Sequence, residues 1–454
     1  MFVPNFLRFR GECAHRFRWR VILAIALTLR LACPASADRS MATPKLSDIR
    51  IVDCAEVIQS PKRGVAANRL SEADFRALAP GVSWYYNWSY APGGTGTPPE
   101  DVAIEFIPMV WGGGKQAMDG LKSYISGGHR PRAVLAINEP NLVEHHVAAG
   151  MTPEKTARIY GEVKAITDRY GIPLIGPQMS IGSPPHMSVT AYDPIEGEEV
   201  TYTYMVPFLH AFFYYAQKQN TEVDGLGMHP YMAAPGVEGL MNQVAASFGK
   251  PIWITEFSNS DQPLYDIPYK LRDLVQSVDY MERTPAIQAY AYFKERNAAH
   301  PPLSLFTGQD GELNELGKAY VQMPVHDPAL YYRLPGRLQA ERYVSLADAT
   351  VWPTTDQDGF LHMSSEAIGS RLNYHVSVET TGDYRIRVRV TGGPGKLGLR
   401  FGKGAPFYLD MPQAVSGWQT LETLTELEAG PQVLYLKMDA KPFGINWIEV
   451  ERVE

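Results

Sequence analysis

The chain has 454 residues, room for two or three domains or for one large barrel with a smaller companion. Apolar residues make up 45% and charged residues 20%, a composition that fits a packed globular protein and excludes a disordered one. Six arginines and one acid fall before residue 38, so residues 38–454 carry 36 basic against 48 acidic side chains; this net of −12 argues against a nucleic-acid partner, which needs a basic surface.

Residues 1–37 read as an export signal. Arg8, Arg10, Arg16, Arg18 and Arg20 form a positive leader, Val21–Leu31 an apolar stretch, and Ala35-Ser36-Ala37 a small-x-small cleavage site. About a dozen apolar residues are too few to span a bilayer, so a secreted or periplasmic protein without a membrane span is expected. Removing the signal leaves Cys54 as the one cysteine, which rules out an internal disulfide and leaves stability to the core. Residues 38–61 form an N-terminal extension.

From 62 to 323 short apolar runs alternate with amphipathic segments. The runs are Arg63–Asn68, Val82–Trp88, Ile104–Trp111, Ala133–Pro140, Pro173–Met179, Val223–Tyr231, Pro251–Phe257 and Ile287–Phe293. Near-continuous hydrophobicity suits strands of a parallel sheet buried on both faces. Between them, Thr152-Pro153 caps a segment in which Ile159, Val163, Ile166 and Tyr170 recur at helical spacing, and Leu271, Leu274, Val275 and Val278 repeat the pattern. Eight strand–helix units in roughly 260 residues match a (β/α)8 TIM barrel. A doubly wound sheet is the alternative, but no Gly-rich phosphate loop follows the first run. Pro324, Asp327, Pro328, Pro335 and Gly336 mark a linker over 324–336. Beyond it, over 337–454, period-two strands such as Tyr384–Val390 and Leu372–Val378 predict an all-β sandwich, jelly-roll-like in character.

A barrel displays its site at the C-terminal ends of its strands. Two carboxylates follow apolar runs there: Glu139 after Val134–Ile137 and Asn138, and Glu256 after Ile252–Thr255. A single strand-end glutamate is usually a polar residue meeting solvent. Two of them among Trp, Tyr, Asn and His suit glycosidic bond cleavage, in which one carboxyl protonates the leaving oxygen and the other meets an oxocarbenium-like carbon. Aromatic rings add stacking surfaces for sugar faces. Glu144-His145-His146 lacks the i,i+4 histidine pair of a zinc helix and is not taken as a metal site.

The strings KRGVAAN (62–68), WYYNWS (84–89), FIPMVWG (106–112), INEPN (137–141), GMHPYM (227–232) and WITEFS (253–258) resemble glycoside hydrolase family 128, β-1,3-glucanases of the retaining (β/α)8 superfamily. The resemblance runs from Lys62 to Tyr320. It implies Glu139 as general acid/base, Glu256 as nucleophile, Asn138 at the sugar 2-OH, and His229 and Tyr231 near the nucleophile. Asn68, Trp84, Tyr86, Asn87, Trp88, Trp111 and Tyr292 would shape a glucan groove, with Tyr292 standing where a tryptophan is expected. Residues 338–450 resemble carbohydrate-binding module family 6 through LQAERY, GSRLNYHVSV, GDYRIRVRV, GWQTL and FGINWIEV. This implies Tyr374 and Trp418 as sugar contacts and Glu341 as a structural calcium ligand, while Gly444 replaces an expected sugar-binding Asn. The resulting expectation is a retaining endo-β-1,3-glucanase, monomeric, acting on β-glucan without a cofactor. The alternatives are a non-catalytic glucan-binding protein or a related barrel glycosidase for β-1,4-glucan or mannan.

Overall fold

The computed structural model describes residues 48–143, 151–261, 263 and 265–453; the export-signal residues 1–37 and the Glu144-His145-His146 triplet lie outside them. No helix of the described residues is long and apolar enough to cross a membrane.

The apolar runs become one curled parallel sheet of nine segments: Ser60–Ala66, Val82–Tyr86, Glu105–Phe106, Met109–Val110, Val134–Ala136, Leu174–Ser180, Gly225–His229, Ile252–Phe257 and Ile287–Phe293. The third run is split at Ile107-Pro108, where proline has no N–H to give the ladder. Its first piece pairs with Val82–Tyr86 at one end of the sheet and its second with Val134–Ala136 at the other. The break is bridged by backbone: Ile107 N–H donates to Tyr85 and Leu135 N–H to Pro108, each at 2.9 Å. Helices alternate with the strands. Pro153–Thr167 starts where its sequence cap lies, with Thr152 Oγ1 accepting from Lys155 N–H. Ile267–Arg283 buries Leu274, Val275 and Val278 as its spacing predicts.

Strand alternation sorts the side chains into two packings. Ala66, Trp84, Tyr86, Trp253, Ala289 and Ala291 share one cluster, whereas Val65, Tyr85, Tyr290 and Tyr292 belong to a second with helix residues such as Leu274 and Tyr320. Trp84 is fully buried, its ring 5.3 Å from Trp253 and its Nε1–H donating to Lys62 O. It lies so close to Ser60–Ala66 that a Cβ on Gly64 would stand 2.2 Å from its ring, which is why glycine occupies that position. Arg132 covers both indoles. Arg63 is buried as well, with its guanidinium on Glu282, Tyr290 and the carbonyls of Val321 and Pro324.

The C-terminal region is β-rich. Arg50–Val52, Leu330–Leu334, Ser370–Val378, Gly430–Met438, Gly395–Phe401 and Phe407–Met411 form one sheet in that order, with Ser345–Ala347 also on Ser370–Val378. A second contains Ala349–Pro353, Leu361–Ser365, Phe443–Arg452, Gly382–Gly392 and Val415–Leu427, with Gly336–Gln339 on Phe443–Arg452. The stretch 324–336, read as a linker, therefore carries a strand, and the N-terminal extension supplies that strand's parallel neighbour. The two strands are so short, three and five residues, that no period stands out. Helix Ile267–Arg283 packs against Ala349–Pro353. Its buried Asp279 accepts from the Tyr343 hydroxyl and faces His326 Nε2 at 3.0 Å. Burial works to raise the Asp279 carboxyl, but His326 and Arg283 hold it below the usual carboxylate range.

Because Trp84 fills the inner packing rather than a surface, Trp84→Ala is expected to cost about 3–5 kcal/mol. Equilibrium denaturation of the full chain reads this; a loss under about 1 kcal/mol would contradict the core assignment.

Candidate active site

At the C-terminal ends of the strands the inner cluster of Trp84, Tyr86 and Trp253 gives way to Trp88, Trp111 and Phe293, which pack half-buried on its upper layer. Glu256 ends strand Ile252–Phe257 with its carboxylate 6% exposed. An anion this buried is tolerable only if donors replace its water. Three do: Tyr86 OH at 3.0 Å and Trp88 Nε1–H at 2.7 Å donate to Oε1, and the Tyr231 hydroxyl donates to Oε2. Burial first, and then the Glu256 charge, push both phenols well above their ordinary range, so they remain donors.

Glu139 follows strand Val134–Ala136 on a strained turn, in which Ile137 and Glu139 have φ of +57° and +43°. The turn is fixed by Asn138 N–H to Trp111 O and Glu139 N–H to Gln178 O. Its carboxylate is 14% exposed and lies 2.9 Å from His229 Nδ1. His229 is buried, with Nε2 3.1 Å from Thr255 Oγ1 and 3.7 Å from Glu256 Oε1. Burial would lower the imidazole pKa, but Glu256 and Glu139 together raise it. One ligand-type atom from each of Glu139, His229 and Glu256 lies within 4.8 Å of the others, close enough to hold a metal ion. The bonds already made point elsewhere: both imidazole nitrogens and both Glu256 oxygens face hydrogen-bond partners that a cation would have to displace. The arrangement suits proton transfer beside a fixed anion.

The structure thus gathers Glu139, Glu256, His229, Tyr231, Tyr86 and Trp88, with Trp111 and Asn138 bordering them. Asn138 Oδ1 is buried without a hydrogen-bond partner. Other expected contacts fall elsewhere. Trp84 lies two residues deeper than Tyr86 and is core. Asn87 turns back into its own loop, its Nδ2 donating to Ala91 O, Pro92 O and Thr95 Oγ1. Asn68 is exposed, and its backbone N–H donates to Glu295. Tyr292 is 3% exposed and packs on Phe257 and Tyr320, on the outer side of the sheet. Phe293, its neighbour, faces the site instead, 5.8 Å from Trp88 and 5.5 Å from Tyr231. The alternation Ala289, Ala291, Phe293 carried that signal. Thr255 and Gln178 also enter the site and were not assigned from sequence.

In the β-rich region Tyr374 is fully buried with its hydroxyl on Ala340 O, so it makes no surface contact. Trp418 is half-buried, its indole N–H on Thr355 and its ring 5.3 Å from His362. His362 and Thr391 occupy the space above Gly444, where a Cβ would stand 3.3 Å from the His362 ring and 2.7 Å from the Thr391 methyl. Glu341 is buried, and burial pushes its carboxyl up to about 7. Its Oε2, Gln339 Oε1 and Asn446 Oδ1 are all buried without partners. Gln339 and Glu341 line one cavity with Gly359, and the Gln339 and Asn446 oxygens lie 3.2 and 3.1 Å from the Cβ position of Gly359. One carboxylate and two amide oxygens fit a hard cation.

Comparison with known proteins places the chain in a family. Two solved endo-β-1,3-glucanases of GH128 subgroup II, from Pseudomonas viridiflava and Sorangium cellulosum, are 30% and 32% identical. Each match covers 59% of this chain and 100% of the other, with TM-scores of 0.49 and 0.48. The clotting factor G alpha subunit of Tachypleus tridentatus is 26% identical over 123 residues, 26% of this chain and 18% of that protein. The family model described as glycosyl hydrolase catalytic core matches residues 64–320. With that match spanning more than half of its length and both carboxylates inside it, the chain belongs to the glycosyl hydrolase catalytic core family and is a glycoside hydrolase.

Proposed function

We propose that this glycoside hydrolase cleaves β-1,3-glucan, in endo fashion, with retention of anomeric configuration. The substrate class is supported by the 30% and 32% identity across the whole of two endo-β-1,3-glucanases. The observation that carries the mechanism is the closeness of the two carboxylates, whose nearest oxygens lie within 4.8 Å. Retaining pairs stand about 5–5.5 Å apart, whereas inverting pairs need about 6.5–9.5 Å to admit a water. In this reading the eight strand runs close as a barrel across Ile107-Pro108, and the β-rich region is a sandwich that acts as a carbohydrate-binding module. Residues 1–37 would direct export.

In the first step Glu139 gives its proton to the glycosidic oxygen as the C1–O bond breaks, and Glu256 forms a bond to C1. In the second, water attacks C1, its proton passes to Glu139, and the bond to Glu256 breaks. Tyr86, Trp88 and Tyr231 aim the nucleophile. Asn138 Oδ1 accepts from the sugar 2-OH, which would satisfy an oxygen otherwise buried at a cost of about 1–3 kcal/mol. Trp88, Trp111 and Phe293 stack on sugar faces.

Laminarin, curdlan, cellulose and mannan, each incubated with the protein and the products sized, separate the substrate classes; cleavage of cellulose or mannan alone would overturn the β-1,3 reading. Roles are separated by azide. Glu139→Ala is expected to lose about 10²–10⁴-fold on glucan, least on an activated aryl glucoside, and to form the β-glycosyl azide when azide is added. Glu256→Ala should lose activity on every substrate. A β-azide from the Glu256 variant and an α-azide from the Glu139 variant would exchange the assignments.

The β-rich region would hold calcium through Gln339, Glu341 and Asn446, a purely structural ion that neutralises a carboxylate raised by burial. Above pH 7, where that carboxylate must ionise, calcium is expected to raise the melting temperature of the full chain, and Glu341→Gln to remove the effect. An identical rise in the variant would contradict the site.

A further inference from the structure

A chain of hydrogen bonds runs from the proposed acid/base away from the substrate side: Glu139 to His229, His229 to Thr255, Thr255 to Gln178. Its far end fixes the direction of every bond in it. Gln178 Nε2 donates to Ile175 O at 2.6 Å, so its Oε1 is the atom turned toward Thr255. An amide oxygen only accepts, hence the Thr255 hydroxyl donates to it, at 2.6 Å. With its proton committed there, Thr255 Oγ1 can only accept from His229, so His229 Nε2 carries a hydrogen. In neutral His229 the Nδ1 that faces Glu139 is then a lone pair. The pocket is built around this amide: a Cβ on Gly227 would stand 1.7 Å from Gln178 Oε1, so strand Gly225–His229 leaves out a side chain to seat it.

We propose that Thr255 and Gln178 are positioning residues that lock His229 in its Nε2–H tautomer, so that one proton is always held between His229 Nδ1 and Glu139 when the enzyme meets substrate. The inference rests on reading Glu139 as the acid/base. A carboxylate facing an imidazole lone pair at 2.9 Å is repelled, whereas a protonated Glu139 donates to that lone pair, or a cationic His229 donates to the carboxylate. The lock therefore disfavours loss of the shared proton and keeps Glu139 an acid. Once the proton has gone to the leaving oxygen, the same lone pair opposes the new carboxylate and makes it a stronger base for water in the second step. The other titratable groups facing His229 are Glu256, 3.7 Å from Nε2, and Tyr231, with ring centroids 6.5 Å apart; the Glu256 anion also favours hydrogen on Nε2. Tyr86 reaches the ring only through Glu256.

The test is the alkaline limb of kcat/KM on laminarin, which reports loss of the acid's proton. Thr255→Val removes the acceptor for Nε2–H and lets neutral His229 adopt the Nδ1–H form, which donates to ionised Glu139. The limb is expected to move down by roughly one pH unit, the size of one net hydrogen bond expressed as a pKa difference. Gln178→Leu frees the Thr255 hydroxyl to donate and should move the limb the same way. Thr255→Ser keeps the hydroxyl and should restore the limb, and an activated aryl glucoside, needing little acid help, should show the smallest change. A residue that merely supported the fold would lower kcat at all pH values without moving the limb. Selective 15N-histidine labelling of the intact chain reads the tautomer of His229 directly, even in a variant of low activity. An Nδ1–H tautomer in the unmodified protein, or an unmoved limb in both Thr255→Val and Gln178→Leu, overturns the proposal. Full activity in Glu139→Ala would instead overturn the acid/base reading, while the tautomer measurement would still report on the lock.

Discussion

A buried carboxylate ringed by three donors is the constraint on which the rest of the site depends. Glu256 cannot remain charged at 6% exposure without replacing its hydration, and the replacements come from two separate strand ends: Tyr86 and Trp88 from one, Tyr231 from the other. Holding Trp88 at 2.7 Å and Tyr86 at 3.0 Å, with Tyr231 on the other oxygen, requires the strands beneath them to be in register. That explains the dense inner packing of Trp84, Trp253 and Tyr86, the close approach at Gly64, and the left-handed backbone at Trp88, φ +61°. The deeper aromatics act on the chemistry only by holding the upper ones in place.

The second carboxylate is held by different means. Glu139 stands on a turn with two residues at positive φ, fastened by backbone bonds to Gln178 and Trp111, and faces the His229 imidazole. Two carboxyl groups a few ångströms apart thus have unlike surroundings: three neutral donors for the one that should stay ionised, a proton-sharing partner for the one that should exchange its proton. Divergent environments for a close pair are the usual way one site obtains an acid and an anion at the same pH. Gln178 supports Glu139 twice, since its backbone carbonyl holds the Glu139 turn and its side chain ends the His229 chain.

Much of this was legible in the sequence, and what was not has physical reasons. The two glutamates stood out because each follows a nearly continuous apolar run, and the flanking motifs fixed Tyr231, His229 and Trp88. Depth along a strand was not legible: Trp84 and Tyr86 share a phase, yet two residues separate a core indole from a ligand of the nucleophile. Phase is ambiguous where both neighbours are aromatic: the motif points to Tyr292 as a groove residue, whereas Phe293 continues the inward alternation. Asn87 is polar and at a strand end, but the left-handed residue after it turns its amide into the loop. In the β-rich region the period-two pattern placed Tyr374 inward, and its hydroxyl found a buried carbonyl rather than a sugar. The contribution of Arg50–Val52 to that region's first sheet comes from pairing across about 280 residues, which no local pattern encodes.

The central claim, that Glu256 attacks C1 while Glu139 handles the proton, is tested most directly by trapping the intermediate. A 2-deoxy-2-fluoro laminaribiosyl fluoride slows both steps but leaves with little acid help, so the glycosyl-enzyme should accumulate and peptide mapping by mass spectrometry should find the sugar on Glu256. A label on Glu139, or stoichiometric turnover to the inverted product with no label at all, would contradict the account.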